Sequence, residues 1–211
     1  MSSTTLYRLS ALSLLIGCVL VILGIVPGFF LGDQNPASTI NVVSSIVRLV
    51  GAMLAVLGLP GVYAASYRKA GVLALIGVVG TFIWLAMAMA FELIIAFVLP
   101  FLAEKAPKLT ADGAMPAGLF IFLIIGGLIT LIASLMLGIV VLRSHISSRL
   151  IGILLIIGAI VSFVGNFLPR VISDVGIAIL LIALAWIALG VWSRREAVAQ
   201  ETFAPPTSVR A

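Results

Sequence analysis

Six apolar runs, most of them as long as a bilayer's hydrocarbon core is thick, take up most of this chain: roughly 9–31, 42–65, 71–100, 118–142, 150–169 and 175–193. A helix rises about 1.5 Å per residue, so about 20 apolar residues carry it across ~30 Å of hydrocarbon. Water is absent there, and a backbone that cannot bond to solvent must satisfy its own N–H and C=O groups, which a helix does within one segment. The short alternating stretches that build transmembrane β-barrels do not occur in the sequence. The expected fold is all-α: a six-helix transmembrane bundle over residues 1–193. The polar stretch 194–211 reads as a solvated, disordered tail.

Composition supports the same class. Hydrophobic residues make up 63% and charged residues 9% of the 211, whereas soluble domains carry about 25% charged residues. The net charge of +5 does not point to nucleic acid, because the basic residues sit at the ends of the apolar runs and form no basic face. They are also unevenly divided. Arg8, Arg68, Lys69, Arg143, Arg149, Arg194, Arg195 and Arg210 fall on one side, while Lys105, Lys108 and Arg170 on the other are diluted by Asp33, Glu104, Asp112 and Asp174. Basic residues accumulate on the cytoplasmic side, so both termini are expected in the cytoplasm.

An internal repeat is visible in the odd-numbered runs. A basic residue is followed nine positions later by glycine: Arg8 to Gly17, Arg68 to Gly77 and Arg149 to Gly158. Each odd run then closes on a proline, Pro27, Pro100 or Pro169, and the even runs end in Leu-Gly-aliphatic at Gly58, Gly138 and Gly190. The pattern predicts three helical hairpins in one orientation. The middle unit departs from it, since arginine to proline is 19 and 20 residues in the outer units but 32 in the second. That excess is about three helical turns, and it contains Glu92. A helix over this stretch must tilt, project beyond the bilayer or break near 88–103.

Glu92 and Arg48 are the charges that lie within apolar runs. If the chain turns near Arg68, Arg48 lies 20 residues before the turn and Glu92 24 after it. At 1.5 Å per residue their heights differ by only about 6 Å, within the reach of an arginine. Arg48 shares a helical face with Gly51, Ala52, Ala55 and Gly58, and Glu92 with Gly77, Thr81, Ala88 and Ala96. Small residues at such spacing let membrane helices approach closely, so both charges are expected to point inward. Asn166 falls at a similar height on the fifth run. Arg48, Glu92 and Asn166 are therefore the candidate buried charge pair or solute site. The simpler reading is a structural ion pair, or two charges that snorkel separately to the outer interface, because their depth is shallow and the cost of charge falls there.

The remaining motifs carry little chemistry. Cys18 follows Leu-Ile-Gly like a lipoprotein processing box, but the apolar run continues to Phe30, as an uncleaved helix would. One cysteine and one histidine, His145, exclude an intrachain disulfide framework, a paired-histidine haem site and a histidine metal cluster. Ser66-Tyr-Arg-Lys69 fits S-x-x-K but reads as a basic turn, and Pro60-Gly61 as an interruption of the second run. No cofactor, metal site or catalytic centre is expected.

The stretch GLPGVYAASYRKAGVLALIGVVGTFIWLAMAMAFELIIAFVLPFLAEKAP, residues 58–107, resembles a block found in small six-pass bacterial membrane proteins that have no assigned activity. The resemblance implies a bacterial cytoplasmic membrane and six helices. The outline also resembles mitochondrial carriers, but the acid those carry two residues after each proline is here Phe29, Leu102 and Val171. The leading expectation is a structural or accessory membrane protein that meets lipids, with a protein partner or a second copy of the chain left open. The alternative is a small transporter or channel using Arg48 and Glu92.

Overall fold

The computed structural model describes residues 3–31, 38–106, 117–144 and 148–203, and all of its regular structure is helical. The elements are α1 (Ser3–Leu31), α2 (Thr39–Leu93), a π-helical turn (Ile94–Val98), α3 (Leu99–Lys105), α4 (Ala117–Ser144), α5 (Arg149–Gly165) and α6 (Arg170–Phe203). Five stretches are long and apolar enough to cross a bilayer: Arg8–Phe30, Thr39–Ala64, Gly71–Lys105, Ala117–Arg143 and Arg170–Trp192. At 17 residues, α5 is a shorter apolar helix.

Two of those stretches belong to α2, which doubles back on itself at Gly71. This glycine has φ 50° and ψ −123°, a backbone conformation that a Cβ disfavours, and it replaces the longer basic turn expected from the sequence. A Cβ at Gly71 would meet nothing within 4 Å, so the penalty of any substitution there is conformational. Gly71→Ala is expected to lower stability by about 1–3 kcal/mol, read from the unfolding midpoint of the detergent-solubilised protein. Pro60, where the sequence suggests a packing kink more than a broken helix, lies within continuous helix.

Close helix contacts give the order of the bundle. A Cβ on Gly17 of α1 would fall 2.6 Å from the Gly51 carbonyl oxygen, and one on Gly58 would fall 2.6 Å from the Leu14 nitrogen. Rising residue numbers on one helix thus meet falling numbers on the other, and α1 is antiparallel to the first limb of α2. By the same test the second limb of α2 packs on α4 (Gly77 on Leu137, Gly80 on Ala133), α4 on α5 (Gly138 on Gly152) and α5 on α6 (Gly176 on Ser162). Helix α6 then returns to α1, where Arg8 stands 5.9 Å from the centroid of the Trp192 ring. The helices close into a ring, and the starts of α1 and α5 lie at the same end as the end of α6. Gly17, Gly77 and Gly158 each face the next antiparallel limb along the chain.

The core is made of Leu14, Cys18, Leu137, Ile151, Leu155, Leu180, Leu181 and Leu184, all with 2% exposure or less. Much of the outer surface is apolar too, with Phe30, Leu57, Val72 and Leu150 more than half exposed. A soluble protein does not present such a surface continuously, whereas lipid covers it at no cost.

Three boundaries differ from the sequence expectation. Helix α5 ends at Gly165 and α6 begins at Arg170, so Arg170 and Asp174 occupy the opening turns of a helix and not a connection. The overlong middle helix neither stops nor breaks: it runs to Lys105 through the π-helical turn, where the Leu99 N–H reaches back to the Ile94 carbonyl. Pro100 accounts for this, because its ring crowds the carbonyl four residues earlier and a wider turn relieves the clash. Finally, α6 continues to Phe203, beyond the expected limit at 193, through a segment rich in Ala, Glu and Gln that favours helix. Residues 204–211 of the expected tail lie outside the described residues.

Candidate functional site: a charged cavity between the helices

Arg48 reaches the interior because α1 makes room for it. Gly24 lies against the first limb of α2, and a Cβ there would collide with the Arg48 side chain and fall 2.9 Å from the Ser44 carbonyl oxygen. With that space free, the guanidinium donates from Nη2 to Ser45 Oγ at 3.1 Å and lies 3.1 Å from Oε2 of Glu92. The two side chains are 12% and 11% exposed. The pairing expected from the hairpin heights is therefore present. It is nonetheless incomplete: Arg48 Nε and Glu92 Oε2 are buried and make no hydrogen bond of good geometry. Buried polar atoms are nearly always hydrogen-bonded, so this pair is held by charge and by Ser45 more than by a full set of hydrogen bonds.

The pair stands in the wall of a cavity of about 340 Å³ enclosed by the second limb of α2, α4, α5 and α6. Asn166, which caps the end of α5, also lines it, and its side-chain nitrogen would lie 2.7 Å from a Cβ on Gly127. All three residues singled out in the sequence thus meet at one cavity. Thr130 and Ser162 line it as well. Thr130 donates its hydroxyl to the Gly126 carbonyl, so it presents an oxygen to the cavity without an unpaired proton.

The sequence reading missed the second pair of charges here. Arg170 Nε lies 3.9 Å from Asp174 Oδ2, one helical turn on, and both line the cavity. Arg170 is 56% exposed and Asp174 14%, so the cavity opens to the surface beside the start of α6. Their spacing of four residues was the available signal, since i and i+4 share a helical face. The aromatic rings of Trp84, Phe91 and Phe122 complete one wall.

A smaller cavity of about 180 Å³ lies between α1, α2 and the start of α6, lined by Gly24, Asn41 and Ser44 among others. Arg48, Arg170 and Asp174 line both cavities and form the partition between them.

Cys18 is fully buried in the core, and among the described residues no three His, Cys, Asp or Glu gather as a metal site would require. The backbone of residues 66–69 is helical, and His145 lies outside the described residues. The arrangement sets charged and hydrogen-bonding side chains around a void. Comparison of the chain with protein-family models, curated proteins and solved structures returns no match.

Proposed function

We infer that this is an integral membrane protein that takes a small polar solute into its helix bundle, as a transporter or channel does. The observation carrying this reading is the 340 Å³ cavity with an under-bonded Arg48–Glu92 pair in its wall. Charges within a membrane domain are costly unless they serve a pathway or a partner, and a void beside them supplies the room that a pathway needs. The basic residues Arg8, Arg143 and Arg149 at one end of the ring favour a cytoplasmic-membrane protein with both termini inside and the cavity opening outward.

The 3.1 Å approach of Arg48 and Glu92 favours a second reading, in which the pair is a clamp and the protein has a structural or accessory role. Water access separates the two. Ala88→Cys, on the cavity wall, is placed in a Cys18→Ala background and treated with a membrane-impermeant thiol reagent, with Leu155→Cys as the buried control. Labelling of position 88 from outside intact cells, with none at 155, is the expected result. No labelling at 88 from either side would return the clamp reading.

A further inference from the structure

We propose that the solute is a small zwitterion whose cationic and anionic groups are close neighbours, as in an α-amino acid with an apolar side chain. This rests on the solute-binding reading above and narrows it. The cavity wall carries two guanidiniums, Arg48 and Arg170, and two carboxylates, Glu92 and Asp174, so it is formally neutral. A solute of net charge would bring that charge uncompensated into a membrane interior, and a polar solute with no charge would engage neither of the two ion pairs in the wall.

A zwitterion fits both ways. Arg48 and Glu92 both line the cavity, so its anionic group can accept from the guanidinium and its cationic group can donate to the carboxylate. Those protein groups belong to side chains 3.1 Å apart, which requires the ligand's two charges to be close together. At about 30 Å³ per water, 340 Å³ has room for roughly eleven waters, hence for a solute of about that many non-hydrogen atoms. The aromatic wall of Trp84 and Phe91 then faces the solute's apolar part, and an aromatic face also favours a cationic group brought near it.

Binding to the full-length protein in nanodiscs tests this with four probes: L-leucine, L-phenylalanine, 4-methylpentanoate (the leucine skeleton without its amine) and 3-methylbutylamine (without its carboxylate). At least one of the two amino acids is expected to bind ten times more tightly than either singly charged analogue. Equal binding of the acid or the amine would overturn the zwitterion assignment. So would failure of all four to bind while Ala88→Cys is labelled, which would leave the cavity a solute site of another class. Failure of labelling and of binding together would remove both. Zwitterionic lipid presents the same paired charges, so the titration is run in phosphatidylethanolamine and in phosphatidylglycerol nanodiscs. Affinity for the amino acid that falls at least tenfold in phosphatidylethanolamine would assign the site to a lipid headgroup and overturn a soluble ligand. Glu92→Gln is expected to abolish the preference for the amino acid over the acid. Ala88→Phe, which fills the cavity one helical turn before Glu92 without removing either charge, is expected to abolish binding of the amino acid. Retained binding in Ala88→Phe would overturn the placement.

Discussion

Replacing Glu92 with alanine is expected to destabilise the bundle by about 3–5 kcal/mol, the usual cost of removing one partner from a buried ion pair. The loss is more than a missing attraction. It leaves the Arg48 guanidinium, 12% exposed, without its counter-charge, and a guanidinium stays protonated. Arg48→Ala is expected to cost less, because a stranded carboxylate can discharge itself by taking up a proton. The double variant Arg48→Met/Glu92→Leu should recover most of the stability, since apolar groups of similar volume need no counter-charge. Unfolding of the four proteins in mild detergent gives the comparison. If Glu92→Ala were no less stable than the double variant, the pair would not be the buried unit its geometry describes.

The second large effect is expected where α5 and α6 touch. A Cβ on Gly176 would sit 2.5 Å from the Ser162 Cα, and its neighbours there are backbone atoms that cannot rotate away. Gly176→Val therefore has to push the helices apart, at a cost of at least about 1–3 kcal/mol for overpacking. The same displacement separates Ser162 and Asn166 from Ser173 and Asp174, so the cavity is lost along with the stability. Gly118→Val, at a position with nothing within 4 Å, is the matched control and should behave as wild type. Equal unfolding midpoints for the two variants would show that this crossing is loose.

The Arg48–Glu92 contact was legible in the sequence because a hairpin turns residue counts into heights. Counting outward from the turn gave a difference of about 6 Å, which an arginine spans. The turn itself shows why such counts tolerate error: the reversal sits at Gly71 and not near Arg68, a shift of less than one helical turn. The small-residue faces were legible for a similar reason, since close packing of membrane helices leaves few other residues possible at the crossings.

Arg170 and Asp174 were missed because charges beside a proline look like a connection, and hydropathy locates a span without locating its first turn. They become cavity residues only because α6 starts immediately after Pro169. The continuity of the overlong helix was undetermined for another reason. Pro100 can end a helix or be absorbed by a wider turn, and the choice depends on the neighbours that hold the next segment. The aromatic wall was missed although Trp84 and Phe91 stand four residues before and three after Ala88, on the face already assigned to Glu92.

The return of α6 to α1 sets an order of events during biosynthesis. Helices leave the ribosome from the N-terminus, yet the surface of α1 that carries Arg8 finds its partner Trp192 only on the last helix. Until α6 arrives, that seam faces lipid or the insertion machinery. Arg48 likewise emerges 44 residues before Glu92, and must wait at the membrane with its charge unanswered. The ring of this bundle therefore shuts only when α6 packs against α1, which makes that helix a latch on the spans before it.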